Sequence, residues 1–266
     1  MIIIGFLLAI LVGISLGLIG SGGSILTVPI LVYVMGVNPV LATAYSLFIV
    51  GATALVGGIQ NARIGRVDFK TAFFFGIPSI IAVYLSRAYL VPIIPESVFT
   101  LFDFEVTKSI FLMVIFACVM IAASITMIKP QKKLAMEQEF PISYNYPLIL
   151  IEGALVGVLT GLVGAGGGFL IIPALVLLAK MPMKKAVGTS LFIIAAKSLI
   201  GFTGDLKGSE IIDWNLLLLF TAASIVGIIL GILLAKKVPG EKLKTSFGWF
   251  VLIMGIYIIV KELFYT

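Results

Sequence analysis

Histidine is absent from the 266 residues, and cysteine occurs once, at Cys118. Without histidine the chain lacks the commonest general base, metal ligand and proton relay. A single cysteine excludes an intramolecular disulfide and a cysteine-built metal site, and Cys118 is expected to pack within an apolar helix. Charge is scarce as well: 11% of the residues are charged and 61% hydrophobic, whereas a soluble domain is roughly half apolar and a quarter charged. Too few polar side chains remain to coat a globule in water, so lipid is the expected solvent. No long polar stretch is present that would form an appended soluble domain. No catalytic residue, metal site or cofactor is expected.

What is present is a series of apolar runs, several of them about 18 to 25 residues long, which matches the hydrocarbon thickness of a bilayer. Read against glycine, proline and charged breakers, the segments are Ile2–Ile19, Ser24–Met35, Val40–Ala62, Phe69–Leu90, Thr107–Ile128, Pro147–Gly164, Gly168–Ala179, Ala186–Thr203, Trp214–Ala235 and Thr245–Val260. The first lacks a positive flank and a small-residue cleavage site, so it reads as a retained span and not a signal peptide. Ser24–Met35 and Gly168–Ala179 are too short to cross comfortably at about 1.5 Å per residue. Each follows a glycine cluster and reads as the second arm of a hairpin with the helix before it.

Positive charge fixes an orientation. One set of loops holds Arg63, Arg66, Lys70, Lys129, Lys132, Lys133, Lys180, Lys184, Lys185, Lys236, Lys237, Lys242 and Lys244; the other holds only Arg87, Lys108, Lys207 and Lys261. By the positive-inside rule the first set faces the cytoplasm and both termini lie outside. The net charge of +6 therefore reflects topology, with no basic stripe for nucleic acid.

The chain repeats itself. Gly17-Leu-Ile-Gly-Ser-Gly-Gly-Ser-Ile-Leu-Thr-Val-Pro29 returns as Gly161-Leu-Val-Gly-Ala-Gly-Gly-Gly-Phe-Leu-Ile-Ile-Pro173, at an offset of 144 that holds to Gly57 and Gly201, with 17 of 41 positions identical. After one inserted residue Asp68-Phe69 matches Asp213-Trp214. The organisation is a first repeat over 1–128, a cytoplasmic linker over 129–146 and a second repeat over 147–266. Five segments per half is an odd number, so the second copy enters the membrane from the opposite side, an arrangement of secondary transporters. The expected fold is an all-α polytopic membrane protein of about ten segments in two inverted repeats, with glycine-broken hairpins meeting near the midplane.

The clusters Gly20-Ser21-Gly22-Gly23-Ser24 and Gly164-Ala165-Gly166-Gly167-Gly168 carry the candidate chemistry. Irregular backbone at membrane depth is tolerated where it is buried in protein or lines a wet cavity. Each cluster opens a short helix whose unpaired N–H groups and positive dipole end would face the meeting place, a preorganised site for an anion. Hydroxyls of Ser21, Ser24 and Thr27 would add donors; tight packing of small residues is the competing explanation. A second repeated patch, Ala42–Ser46 against Ala186–Ser190, keeps hydroxyls at Ser46 and Ser190, which either line the cavity or bond back to their own helix. Lys197 is read as the one basic residue inside an apolar run, opposite Thr53 in the first half, and is expected to face the cavity and balance a negative substrate or else to snorkel to the interface. Glu152, one turn into its segment, is a proton carrier if transport is proton-coupled, or an interfacial residue near the linker lysines. Acidic residues are otherwise missing from the spans, which argues against a cation pathway.

The paired Gly-x-x-Gly-x-Gly-Gly-x-x-x-x-x-Pro motifs resemble those of the sulfite exporter TauE/SafE family of small bacterial and archaeal membrane transporters, and the similarity extends over essentially the whole chain. The resemblance implies transport of a sulfur-containing anion such as sulfite, a sulfonate or sulfoacetate across the inner membrane, and implies no catalytic residues. Serine at Ser24 opposite Gly168, and Lys197 opposite Thr53, break the symmetry, so the two helix ends would touch different parts of a substrate.

The expected partners are a small anion and membrane lipids; association into a homo-oligomer is left open. Alternatives are a passive anion channel or a membrane subunit of a larger transport system. An intramembrane serine protease is excluded in its Ser–His form by the missing histidine, and a Ser–Lys pair using Lys197 would leave the second glycine cluster unexplained.

Overall fold

The structure is a computed structural model that describes residues 2–20, 22–101, 104–128, 146–164, 166–168, 171–172, 175, 181–206, 212–235 and 240–264. Its long helices are α1 (Ile2–Ile19), α3 (Pro39–Arg63), α4 (Phe69–Leu85, continued by a wide turn over Ser86–Leu90 and by Val91–Ile93), α5 (Lys108–Ile128), α6 (Tyr146–Val163), α7 (Met183–Asp205), α8 (Trp214–Leu234) and α9 (Gly240–Phe264). Between α1 and α3 lies the short arm α2, which passes from a 3₁₀ stretch at Gly22–Leu26 through Thr27–Pro29 to a π turn at Ile30–Val34. Pro29 has no N–H to give to a helical ladder, and the widened turn follows it directly. The linker 129–145, Ser21, Ala165 and most of the arm expected over Gly168–Ala179 lie outside the described residues.

Local signals set the starts and stops. Asn38 accepts from Val40 N–H at 2.9 Å and Pro39 occupies the first turn of α3, a pairing suited to a helix N-terminus. Asp68 accepts from Lys70 and Thr71 N–H at the start of α4, and Asp213 accepts from Leu216 N–H at the start of α8. Gly65, at φ +70°, closes α3 in the left-handed conformation that glycine adopts without a Cβ penalty.

Burial runs in the reverse sense of a soluble protein. Ile3, Leu7 and Leu11 of α1, Phe73 and Ile81 of α4, Leu218 and Leu219 of α8 and Ile253 of α9 are exposed, while Thr27, Thr43, Ser46, Thr53, Ser79, Lys197 and Ser198 are buried. Water would not tolerate that rim; lipid requires it. Five described helical stretches are long and apolar enough to cross a membrane: Pro39–Arg63, Phe69–Ile93, Lys108–Ile125, Lys185–Asp205 and Trp214–Leu234.

The helices pair through glycine. A Cβ on Gly13 or Gly17 of α1 would strike the backbone of Ser224 or Ile228 in α8, and one on Gly157 or Gly161 of α6 would strike Ser79, Ser86 or Val83 on α4. Without a hydrophobic drive between helices in lipid, such close approach through small residues is what holds them. Both pairs run parallel, since residue numbers rise together across each contact. By contrast α3 and α7 run antiparallel, Gly51 against Leu199 and Gly58 against Phe192, as do α5 and α9, with Gly248 against Met127 and Gly255 against Met120. The glycines and their neighbours are related by the 144/145 offset: Gly13 with Ser224 corresponds to Gly157 with Ser79, and Gly57 with Leu191 corresponds to Gly201 with Leu47.

One element departs from an all-helical expectation. Ser97–Leu101 and Phe104–Thr107 form an antiparallel two-stranded ribbon, β1 and β2, between α4 and α5. The sequence Ser97-Val-Phe-Thr-Leu is rich in strand-favouring residues, and it was too short to stand out beside the apolar runs. In the second half the interval between α8 and α9 spans only residues 235–239.

Candidate functional site

Lys197, in the middle of α7, is completely buried. Its Nζ donates to Thr160 Oγ1 of α6 at 3.0 Å. The Thr160 hydroxyl in turn donates to Val156 O at 2.6 Å, which fixes its lone pairs toward the lysine. Gly167 completes the contact: a Cβ there would collide with Thr160 Oγ1 and lie 2.8 Å from Lys197 Nζ. Only a backbone without a side chain reaches so close. Gly164, Gly166 and Gly167 all take positive φ, from 59° to 72°. A Cβ on Gly166 would meet Val50 and Ile194, and beyond them Ser198 Oγ at 3.6 Å. That hydroxyl is buried and has no hydrogen-bond partner. Lys197 thus does not reach toward the interface; it is held against the second glycine cluster. Ser198, the next residue, gave no signal in the sequence because its counterpart in the repeat is Ala54, so the repeat keeps no hydroxyl there.

The first cluster is built differently. Gly20 has φ +89° and a Cβ there would meet Val187 near the start of α7, just as one on Gly164 would meet Thr43 near the start of α3. Gly23 packs on α1 at Ser15 and Leu16. Gly22 opens α2, and Ser24 and Thr27 are fully buried, the latter with its Oγ1 unpartnered. The residues that answer to Thr160, Lys197 and Ser198 are Leu16, Thr53 and Ala54, and Thr53 spends its hydroxyl on Ile49 O of its own helix at 2.6 Å. The close neighbours of Gly20 and Gly164 come from the long helix of the other half. Gly168 is buried beside Gly167.

The hydroxyl patches divide. Ser190 Oγ bonds back to Val187 O at 2.9 Å, whereas Ser46 Oγ is buried and unpartnered. Their neighbours brace the halves: Asp68 N–H donates to Thr189 Oγ1 at 2.9 Å and Asp213 N–H donates to Tyr45 Oη at 2.6 Å. Glu152 of α6 is partly buried.

Arg87, counted among loop charges from sequence, is instead buried inside α4, so Lys197 is not the only cation within a span. Its Nε donates to both carboxylate oxygens of Asp205, at 2.9 and 2.8 Å, and Nη1 donates to Thr43 Oγ1 at 2.9 Å and Gly161 O at 3.1 Å. One guanidinium therefore joins α4, α3, α6 and the end of α7 beside the second glycine cluster. The signal was available: Arg87 falls inside the segment Phe69–Leu90, and Asp205 follows Gly204 at the end of another.

The chain matches the family described as Sulfite exporter TauE/SafE over residues 5–260. It is 32% identical over 256 residues to a probable membrane transporter protein of Xylella fastidiosa (strain 9a5c), covering 95% of this chain and 92% of that one. It is 26% identical to the probable membrane transporter protein YunE of Bacillus subtilis (strain 168), over 97% and 99% of the two chains, and 28% identical to a probable membrane transporter protein of Methanocaldococcus jannaschii, over 98% and 94%. No solved structure matches significantly. Nearly the whole length, both glycine motifs included, falls within these matches, and the chain belongs to the sulfite exporter TauE/SafE family of membrane transporters.

Proposed function

We propose that the protein is a secondary transporter of a small sulfur-containing anion, sulfite or a short sulfonate, held between the two glycine turns near the middle of the membrane. The observation that carries this reading is Lys197: a lysine buried in a span is costly and marks a substrate path, and this one lies against a glycine turn. The family's description names sulfite, which supports the sulfur chemistry.

Alternating access would come from two five-segment repeats, 1–128 and 147–266, joined by the cytoplasmic linker 129–146 and inserted in opposite senses with both termini outside. Support comes from helix direction: α3 and its counterpart α7 run antiparallel, and so do α5 and its counterpart α9. The approach of Gly166 to Val50 and Ile194, themselves counterparts, supports a second turn lying near the axis between the halves. Amide groups of residues 20–24 and 164–168, with Ser46 and Ser198, would share the anion with Lys197.

Flux of sulfite, sulfate and a short sulfonate into proteoliposomes, with and without a pH gradient, tests the reading. Saturable uptake above protein-free vesicles is the expected result. Uptake linear in concentration would assign a channel, and none would overturn the proposal.

A further inference from the structure

The charge balance of the interior, which rests on the transporter reading, narrows the substrate. Four charged side chains are buried among the described residues: Arg87, Lys108, Lys197 and Glu262. Arg87 is paired with Asp205 and Lys108 with Glu96. Glu262 accepts from Tyr33 Oη at 2.7 Å, and the neighbouring Lys261 ammonium lies 4.1 Å from the centre of the Tyr33 ring. Of these buried cations only Lys197 has no carboxylate beside it, and its hydrogen bond goes to the neutral Thr160. An uncompensated charge in a low-dielectric interior is expensive, and a bound ion of opposite sign removes the expense.

We infer that the site at Lys197, Thr160, Gly167 and Ser198 selects its substrate by valence and takes one monovalent oxyanion per cycle: a sulfonate with a single charge, or sulfite as hydrogensulfite. A monoanion brings the site to neutrality. A dianion of the same size leaves one net negative charge buried, and among the described residues no second cation answers it, since Arg87 is already matched by Asp205. The other half offers none, because Leu16, Thr53 and Ala54 stand where Thr160, Lys197 and Ser198 do. An ammonium has three N–H donors and Thr160 uses one, so two remain for anionic oxygens; the unpartnered Ser198 hydroxyl faces Gly166, the residue before Gly167.

Ethanesulfonate and sulfoacetate are close in size and carry one and two charges at neutral pH. In proteoliposomes holding the full chain, ethanesulfonate should saturate uptake at least tenfold more efficiently than sulfoacetate or sulfate. Lys197→Arg should keep that preference, and Lys197→Met should lower ethanesulfonate uptake at least tenfold. The wild-type comparison stands even if a variant fails to insert. Sulfoacetate moving as well as ethanesulfonate, or Lys197→Met transporting like wild type, overturns the inference while leaving an anion transporter in place. Uptake of neither anion overturns both.

Discussion

Lys197 and Thr160, 37 residues apart in sequence, form the contact between α7 and α6 on which the second glycine turn rests. Thr160→Val keeps the shape and removes the acceptor, leaving the ammonium unaimed. A hydrogen bond to a charged group contributes about 1.5–3 kcal/mol, so the half-saturating concentration for anion uptake should rise about tenfold or more, with Thr160→Ser close to wild type. Unchanged half-saturation in Thr160→Val would show that this bond does not position the lysine.

The glycine turns should tolerate no side chain. Gly164→Ala would press on the Thr43 backbone at a positive φ, and Gly167→Val on Thr160 and Lys197. Each should cut uptake at least tenfold, as should Gly23→Val in the other half. Gly76 is the internal control: nothing lies within 4 Å of its missing Cβ, and alanine in a helix interior is favoured over glycine by about 1 kcal/mol. Gly76→Ala should therefore transport normally and melt at the same temperature or higher. A response from only one turn would mean that the halves do not share the substrate.

Asp205→Asn strands the Arg87 guanidinium in the interior. Removing one member of a buried pair costs about 3–5 kcal/mol, while replacing both with apolar residues is often close to neutral. Thermal unfolding in detergent should place Asp205→Asn well below wild type and return most of the loss in Arg87→Met with Asp205→Leu. Additive losses in the double variant would show the pair to be of little account, with the bonds from Arg87 to Thr43 and Gly161 the larger effect.

The membrane orientation has a direct test, since Cys118 is the one native thiol. In a Cys118→Ala background, Ile3→Cys should react with an impermeant thiol reagent added to intact cells, and Lys132→Cys only after permeabilisation. The reverse pattern would invert the topology.

Much of this was legible in the sequence. Apolar runs located the long helices to within a few residues, because lipid imposes one solution on the backbone over the full membrane thickness. The repeat located both glycine turns, because positive φ and close backbone approach leave few residues but glycine. Lys197 stood out by its charge. What stayed hidden depended on partners distant in sequence. Arg87 looked like a loop cation until Asp205 and Thr43 were beside it, and Ser198 looked like helix filler until Gly166 was. Thr189 and Tyr45 drew no notice beside Ser190 and Ser46, yet each accepts a backbone N–H from the opposite half. The ribbon of β1 and β2 escaped because it needs only a few residues and no long pattern.

Those two braces bear on how the protein is made. Asp213 N–H reaches back to Tyr45, already synthesised, whereas Asp68 N–H must wait for Thr189, 121 residues later. At about 5–20 residues per second the nascent first half spends several seconds in the bilayer with its α4 terminus unmated and the glycine face of α1 bare. Translation order thus gives the two copies unequal histories: the earlier one waits for its partners, and the later one arrives to a prepared template.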